Sequence, residues 1–244
     1  METSATTPRE KQTTILQVGG LKLQGGAAIV ALLVIVAAIV AVFVWRGLPR
    51  WPVSVSSVLW LVFITYWSAM ASRAAPTKSA ESASSRRTHV RLMNGALILL
   101  FIPFISLLGR RFLPDSLLFV VLGLAIQIGA GALGVWARRH LGRNWSGAIT
   151  VAEDHQLVRS GPYRRLRHPI YSAMIGMFVG STVAIGEWHS LLGLALIVIA
   201  YARKIPLEER SLRAVFGPAY DEYCKSSWAL IPGVFVLSGA TSGH

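Results

Sequence analysis

Four long runs of apolar residues, each free of charged side chains, constrain the fold of this chain more than any other feature of its sequence. The runs are Ala27–Trp45, Val53–Ala71, Leu92–Leu108 and Leu117–Ala137. An α-helix rises about 1.5 Å per residue, so about 20 apolar residues cross the hydrocarbon layer of a bilayer. Two shorter runs, Ile170–Ile185 and Ser190–Tyr201, predict an antiparallel helical hairpin near the C terminus. We therefore expect an all-α, polytopic membrane helical bundle of about six transmembrane helices with a C-terminal helical hairpin.

The composition agrees with a membrane protein and argues against a soluble domain and against a nucleic-acid-binding protein. Only 14% of the residues are charged, against about 25% in a typical soluble domain, and the mean hydropathy is +0.54. The net charge of +13 does not predict a nucleic-acid partner, because the basic residues lie in short loops between the apolar runs. Cys224 is the single cysteine, so no intramolecular disulfide and no cysteine-based metal site is expected.

The distribution of positive charge predicts the orientation in the membrane. With six alternating spans, twenty of the 24 lysine and arginine residues fall on one side. Positive charge collects on the cytoplasmic side of membrane proteins. We therefore expect an integral protein of a bacterial plasma membrane with both termini in the cytoplasm.

The polar loop between the fourth run and the hairpin contains strong turn and helix-start signals. Gly161-Pro162 predicts a turn that presents Tyr163. Pro169 suits the first position of a helix, because it lacks the amide that would be left without a partner there. His168 then lies at the N terminus of that helix, where unpaired amides favour anionic groups.

After the hairpin, two adjacent glutamates lie close to the membrane surface. Pro206 predicts the start of a further helix, which Gly217 should end. In that helix Glu208 and Leu212 are four residues apart, so Glu208 shares the apolar, inward-facing stripe. An acidic side chain in such a place is costly unless it is paired or bound to a ligand.

The order of these motifs resembles one enzyme family. Between Leu141 and Pro232 the chain reads Gly-Pro-Tyr, four residues, His-Pro-x-Tyr, a hairpin, Glu-Glu-x-x-Leu and Phe-Gly-x-x-Tyr. This pattern resembles the isoprenylcysteine carboxyl methyltransferase family and the related phospholipid N-methyltransferases. The resemblance implies an S-adenosylmethionine-dependent methyltransferase of the membrane, which acts at the cytosolic face on a lipid or lipidated small-molecule acceptor with a carboxylate or an amine.

The resemblance also implies which residues form the site. The cofactor pocket should be lined by His155, Gln156, Leu157, Val158, Tyr163, His168, Pro169, Ile170, Tyr171 and Glu208. In the eukaryotic enzymes a basic residue four positions before the first glutamate contacts the acceptor, and here Lys204 has that place, with Arg203 beside it. A lysine cannot bind a carboxylate through two parallel hydrogen bonds as an arginine does. An amine acceptor would also need deprotonation, which Glu208 or Glu209 could assist.

The apolar runs and the resemblance together divide the chain into four parts. Residues 1–26 should form a polar cytosolic N terminus, and residues 27–115 the N-terminal transmembrane helices, with a flexible loop near 72–88. Residues 116–232 should form the methyltransferase-like core, and residues 233–244 a tail. The sequence does not indicate the oligomeric state.

Simpler interpretations of the site residues stay open at this point. His168 could be a helix cap, Tyr163 and Tyr171 could be anchors at the membrane interface, and Glu209 could form a structural ion pair. Two other functions are also open. An NADPH-dependent membrane reductase of the sterol reductase type would use arginines for the 2′-phosphate, for which the sequence offers Arg164, Arg165 and Arg167. A non-catalytic scaffold or small transporter would place polar side chains such as Gln127 within the spans.

Overall fold

Six α-helices and a short β-hairpin form the part of the chain described by the computed structural model, which covers residues 15–18, 21–24, 51–71, 82–102, 106–142 and 157–233. The helices are α1 (Trp51–Ala71), α2 (Ala83–Phe101), α3 (Leu117–Leu141), α4 (Pro169–Ile185), α5 (Trp188–Phe216) and α6 (Pro218–Ser226). Single 3₁₀ turns lie at Ser106–Gly109 and Gly161–Arg164. Strand β1 (Ile15–Val18) pairs antiparallel with β2 (Leu21–Gln24). The predicted all-α membrane bundle is confirmed, and the β-hairpin is an element that the prediction did not include.

Three of the described helices are long and apolar enough to cross a membrane. They are Trp51–Met70, Leu117–Leu141 and Trp188–Phe216, and Pro169–Ile185 is a shorter apolar helix. Helix α2 has a comparable length but carries three arginines in its first half. The predicted first span, Ala27–Trp45, lies outside the described residues, so the number of six spans stays a prediction. These helices are those of an integral membrane protein.

The prediction was partly wrong about where α2 begins and ends. The expected helix was Leu92–Leu108, and a flexible loop was expected near 72–88. Instead the Ser82 hydroxyl accepts a hydrogen bond of 3.2 Å from the Ser85 amide and caps a helix that begins inside that loop. The helix stops before Ile102, whose backbone is extended because the next residue is a proline. Residues 72–81 lie outside the described part of the chain.

Helix α5 was predicted as two separate pieces. The expected second arm of the hairpin, Ser190–Tyr201, continues without a break as far as Phe216. Pro206 therefore lies inside a helix and not at its first position, which removes one backbone hydrogen bond. Gly217 ends the helix as predicted, with a φ of 51°. One continuous rod thus carries the apolar face of the hairpin and both glutamates.

Helices α3 and α4 approach each other until their backbones touch. A Cβ atom added to Gly123 would lie 2.4 Å from the Ala184 amide nitrogen and 2.5 Å from the Gly180 carbonyl oxygen. A Cβ at Gly180 would lie 2.5 Å from the Gln127 amide nitrogen. Gly123 and Gly180 therefore allow this close packing. Gly129 has no such role, because nothing lies within 4 Å of the place of its Cβ.

Polar side chains within the spans bond to one another across three helices. The Ser56 hydroxyl donates to the Ser181 hydroxyl at 2.9 Å, and the Trp60 indole donates to the same oxygen at 3.0 Å. The Gln127 side-chain amide donates to the Ser56 carbonyl oxygen at 3.1 Å. Because Gln127 ties α3 to α1, its presence in a span has a structural explanation.

The N-terminal helices share one core with the C-terminal hairpin. Trp60 and Phe63 of α1 and Leu100 of α2 are buried in the same cluster as Phe178 of α4 and Ile197 of α5. Trp60 meets Phe178 edge to face, with ring centroids 5.1 Å apart. The division at residue 116 stays a prediction about function, and the packing is continuous across it.

We expect Gly123→Ala to lower the free energy of unfolding by about 1–3 kcal/mol, because the new methyl group would force two backbones apart. The measurement is the melting temperature of the purified protein in detergent. Gly129→Ala is the matched control, since the same methyl group meets no neighbour and alanine favours a helix by about 1 kcal/mol. Equal melting temperatures for the two variants would contradict the packing described above.

Candidate functional site

Three residues predicted to bind the cofactor lie together at one end of the bundle. The Tyr171 hydroxyl donates a hydrogen bond of 2.5 Å to the Glu208 carboxylate. The His168 Nδ1 atom lies 3.7 Å from the same carboxylate oxygen. The rings of His168 and Tyr171 are parallel within 3°, with centroids 5.3 Å apart. Residues from two helices thus form one contiguous group of aromatic rings around a carboxylate.

The start of α4 explains why His168 faces this group. Pro169 is the first residue of the helix, as predicted, and His168 is the residue before it. The His168 side chain makes no capping hydrogen bond to the helix amides, so the simpler interpretation as a cap does not describe it. Tyr171 follows three residues later and lies on the same face of the helix. Pro169 and Ile170 are buried, and their predicted contact with the cofactor stays a prediction.

The two adjacent glutamates have different surroundings. Glu208 keeps 30% of its side chain exposed, whereas the side chain of Glu209 is 7% exposed. The Glu209 carboxylate lies 2.8 Å from the Arg167 Nε atom and 3.6 Å from an Arg213 nitrogen. It also lies 3.4 Å from the His168 Nε2 atom, so the imidazole has a carboxylate at each ring nitrogen. The structure therefore favours the structural ion pair for Glu209, which had been predicted to be catalytic.

Lys204 and Arg203, the two basic residues predicted to contact the acceptor, lie in different surroundings. The Lys204 Nζ atom lies 5.8 Å from the centre of the Tyr171 ring, within reach of a cation–π interaction. Arg203 is exposed on the outside of α5. Of these two basic residues, Lys204 therefore lies at the site.

Tyr163 is held beside this group by the 3₁₀ turn that Gly161-Pro162 begins. Its carbonyl oxygen accepts a hydrogen bond of 2.5 Å from the Tyr223 hydroxyl of α6. Burial, and then the negative charge of Glu208, raise the pKa of the Tyr163 phenol well above its usual value. The phenol is therefore neutral at physiological pH and can donate a hydrogen bond.

The remaining predicted residues lie on the loop before this turn. Val158 packs against a small buried cluster with Ala137, Tyr163 and Ile170. Leu157 is half-buried, and the structure gives it no polar role. His155 and Gln156 lie outside the described residues, so their predicted contact with the cofactor stays a prediction.

Gly161 is required by its own conformation and by His140, to which the sequence assigned no role. The φ of Gly161 is +58°, a value that side chains with a Cβ rarely adopt. A Cβ there would lie 2.7 Å from the His140 ring. That ring stacks on Tyr163 with centroids 6.4 Å apart, and its Nε2 atom is 2.8 Å from the Ser160 hydroxyl. His140 thus supports the turn that presents Tyr163.

Sequence reasoning missed two aromatic residues of the site. The Tyr201 ring stacks on Tyr171 with centroids 4.5 Å apart, and the His89 ring meets Tyr201 edge to face at 5.5 Å. Tyr201 precedes Glu208 by seven residues, two helical turns, and this spacing could have revealed that both share a face. His89 carries no such signal, because its helix was expected to begin only at residue 92.

The segment 227–229, which no sequence motif indicated, forms hydrogen bonds with the start of α4. The His168 amide donates to the Ala229 carbonyl oxygen at 3.1 Å, and the Arg167 amide donates to the Trp228 carbonyl oxygen at 2.8 Å. The Arg167 guanidinium donates to the Ser227 carbonyl oxygen at 2.6 Å. The segment after α6 therefore fixes the backbone of His168. Among the described residues, no group of three histidine, cysteine or acidic side chains is placed to hold a metal ion.

Comparison with known proteins agrees with the motifs. Residues 121–214 match the model of the Isoprenylcysteine carboxyl methyltransferase (ICMT) family. Two relatives come from Arabidopsis thaliana. Protein-S-isoprenylcysteine O-methyltransferase A is 37% identical over 87 residues, which are 35% of this chain and 44% of the relative. Protein-S-isoprenylcysteine O-methyltransferase B is 34% identical over 96 residues, which are 38% of this chain and 49% of the relative.

The matched segment spans about half the length of these relatives. A solved structure, that of the eukaryotic intramembrane Ras methyltransferase ICMT, is 21% identical, covers 64% of this chain and 55% of its own, and gives a TM-score of 0.45. The resemblance to the isoprenylcysteine carboxyl methyltransferase family is confirmed by the match of residues 121–214 to the family model.

We expect Arg167→Ala to lower the free energy of unfolding by about 3–5 kcal/mol, because it would leave Glu209 buried without its main partner. A calorimetric or fluorescence melt in detergent would measure the loss. Arg210→Ala removes a guanidinium from an exposed position of the same region and should leave the melting temperature unchanged. If both substitutions had equal effects, the buried pair would not be a main support of the site.

Proposed function

We propose that this chain is an integral membrane methyltransferase that uses S-adenosylmethionine and acts on a lipid-borne carboxylate at the cytosolic membrane face. The observation that carries the proposal is the Glu208 carboxylate, held by the Tyr171 hydroxyl beside His168 at one end of the bundle. The match of residues 121–214 to a methyltransferase family supports it.

The residues present suit the charge of the cofactor. The sulfonium of S-adenosylmethionine is a cation, and Glu208 offers a partly exposed carboxylate with aromatic rings beside it. Aromatic faces attract cations, and a carboxylate near them adds a direct charge interaction. When bound, the cofactor supplies an activated methyl group: its carbon–sulfur bond breaks as a bond to the acceptor oxygen forms, and the sulfur keeps the electron pair.

The part of the protein in this reaction is chiefly to position and to enclose. Holding two reactants in line can supply much of the rate enhancement of a transfer between them. Tyr171 and His168 orient the Glu208 carboxylate. Tyr163, on the turn before α4, offers a neutral hydroxyl. Burial of these rings excludes water from the place where the charges lie.

The charges near Tyr171 favour a carboxylate acceptor over an amine. Glu209 pairs with Arg167 and Arg213, Glu208 is assigned to the sulfonium, and the Lys204 ammonium group lies at the Tyr171 ring. A protonated amine would be repelled there and would need a base, whereas a carboxylate needs none. The names of the two Arabidopsis relatives describe O-methylation of an isoprenylcysteine, which agrees with an oxygen nucleophile.

The orientation follows from the positions of the basic residues. The end of the bundle that carries the site also carries Arg86, Arg87, Arg138 and Arg139, whereas Arg110 and Arg111 lie at the opposite end. By the positive-inside rule the site faces the cytosol. On the same rule we propose cytoplasmic termini, and we propose the plasma membrane of a bacterium as the location.

The hydrogen bonds of Arg167 weaken the alternative of an NADPH-dependent reductase. Arg167 was one of three arginines that could have bound a 2′-phosphate. Its guanidinium is used by Glu209 and by the carbonyl oxygens of Cys224 and Ser227. Arg164 and Arg165 are exposed.

We expect the purified protein to bind S-adenosylmethionine, and Glu208→Gln to weaken that binding about tenfold through loss of a charge contact with the sulfonium. Isothermal titration calorimetry measures both affinities. Glu222→Gln makes the same change at an exposed position of α6 and should have no effect. A wild-type protein that binds NADPH and not S-adenosylmethionine would reject the proposal.

We expect Lys204→Met to raise the KM for an isoprenylcysteine acceptor about tenfold, because a charge-assisted contact is lost. The affinity for S-adenosylhomocysteine should stay the same, and Lys204→Arg should retain a low KM. Lys225→Met, at an exposed position, is the control. An unchanged KM in Lys204→Met would show that the acceptor binds elsewhere. The assay is methyl transfer to N-acetyl-S-farnesyl-cysteine from labelled S-adenosylmethionine.

A further inference from the structure

A groove of about 440 Å³ lies at the end of the bundle opposite the candidate site, where the 3₁₀ turn Ser106–Gly109 meets the start of α5. This volume is within the range of about 300–1,000 Å³ that is typical of small-molecule sites. The groove is chiefly apolar, and the residues that line it are Leu107, Leu108, Arg110, Trp188, Leu191 and Leu192. None of them belongs to the candidate site, so the proposed function does not account for this groove.

Backbone and ring contacts hold the walls of the groove in place. The Trp188 amide donates a hydrogen bond of 3.2 Å to the Arg110 carbonyl oxygen, which joins the start of α5 to the segment after the 3₁₀ turn. The Phe112 ring meets the Trp188 ring with centroids 5.4 Å apart. A Cβ atom added to Gly193 would lie 2.7 Å from the Ala96 carbonyl oxygen, so the backbones of α5 and α2 touch beside the groove. The groove is therefore built into the packing of the helices.

The two adjacent arginines at this end of the bundle differ in their partners. The Arg111 guanidinium lies 3.5 Å from the Asp115 carboxylate and also donates to two backbone carbonyl oxygens of its own loop. Arg110 is exposed, and no group in the described part of the chain is bonded to its guanidinium. On the other wall, the Glu187 carboxylate lies 3.0 Å from the His189 ring. Arg110 thus carries a positive charge that the described residues do not use.

The groups that line the groove match the chemistry of a phospholipid. Leu107 and Leu192 are exposed, and in a membrane such apolar surface contacts acyl chains. Tryptophan favours the depth at which acyl chains meet headgroups, and Trp188 lies at the end of its helix. Arginine binds a phosphate through two parallel hydrogen bonds. One ligand with an apolar chain and a phosphate can therefore use both parts of the groove.

The charge of the groove favours a headgroup with a net negative charge. None of the six lining residues is acidic, and Arg110 is the one that is charged. The ammonium group of a choline headgroup would meet Arg110 as a like charge, whereas a glycerol headgroup adds no positive charge to its phosphate. An anionic phospholipid is therefore preferred over a zwitterionic one of the same chain length.

We propose that this groove is a binding site for an anionic phospholipid of the leaflet opposite the candidate site. One acyl chain lies along the leucines and Trp188, and Arg110 binds the headgroup phosphate. The bound lipid contacts both the segment after the 3₁₀ turn and the start of α5. The site is separate from the proposed methyl transfer, because it shares no residue with the place of the cofactor.

The test places the photoreactive residue p-benzoylphenylalanine in the groove and identifies what it captures. It replaces Leu192, and in a matched control it replaces Leu118, which is exposed at the same end of the bundle on α3 and does not line the groove. The full-length protein is reconstituted into vesicles of equal amounts of phosphatidylglycerol and phosphatidylcholine with the same acyl chains. After illumination, mass spectrometry gives the ratio of the two lipids among the adducts.

We expect phosphatidylglycerol to exceed phosphatidylcholine about fivefold at position 192, because the choline charge is repelled by Arg110. At position 118 the ratio should equal that of the vesicles. Arg110→Gln should lower the ratio at position 192 to the control value, and Arg110→Lys should keep most of the enrichment because it retains the charge. Arg139→Gln removes an exposed arginine at the other end of the bundle and should leave the ratio unchanged.

Three results would overturn the inference. Equal ratios at positions 192 and 118 would show that the groove does not distinguish headgroups. Enrichment that persists in a folded Arg110→Gln protein would show that another group selects the lipid. Adducts at position 192 with residues 27–45 of the same chain or with a second copy, in place of lipid, would show that protein covers the groove. The capture of lipid needs no cofactor and no turnover, so a failure of the proposed function would not change these outcomes.

Discussion

The buried pair of Arg167 and Glu209 is the interaction on which the rest of the site depends. Charges removed from water are costly, so each needs several partners at close range. The Arg167 guanidinium meets a carboxylate of α5 and carbonyl oxygens at the end of α6, and its backbone pairs with the segment that follows. One cation therefore joins the loop before α4 to two later parts of the chain. The position of His168, the next residue, follows from it.

This pair also explains why two adjacent glutamates have separate tasks. Neighbouring residues of an α-helix point about 100° apart, so Glu208 and Glu209 reach different nitrogens of the His168 ring and otherwise contact different partners. Glu209 forms a buried ion pair with Arg167, which stabilises the fold. Glu208 faces Tyr171 and keeps part of its carboxylate exposed. Because Glu209 is fixed by its ion pair with Arg167, the preceding residue, Glu208, is directed toward Tyr171.

The sequence predicted those features that depend on local chemistry. Pro169 begins α4, Gly217 ends α5 and Gly161-Pro162 forms the turn that presents Tyr163, because each of these residues restricts its own backbone. The predicted grouping of His168, Tyr171 and Glu208 came from the resemblance to a family, and periodicity alone would not have joined helices α4 and α5. The family model and the motifs agree on that segment.

The features that the sequence did not predict depend on distant contacts. Helix α2 begins early because a serine caps it, although three arginines make its first half resemble a loop. Helix α5 passes through Pro206 because packing against α2 and α4 outweighs one lost hydrogen bond. The pairing of residues 165–168 with residues 228–229 joins parts of the chain some sixty positions apart, for which no local pattern exists.

The depth of the site in the bundle agrees with the proposed function. In that proposal, a methyl donor dissolved in water and an acceptor anchored in lipid meet at the membrane surface. Deeper in the described bundle, Ser56, Trp60, Gln127 and Ser181 bond to one another, so this polar network already serves to join helices. The rings of His168, Tyr171 and Tyr201 lie above it, where α1 and α3 end and α4 begins. The close contacts of α3 with α4 and of α2 with α5 hold the helices on both sides of this surface. They therefore fix the positions of the helices that carry His168, Tyr171 and Glu208.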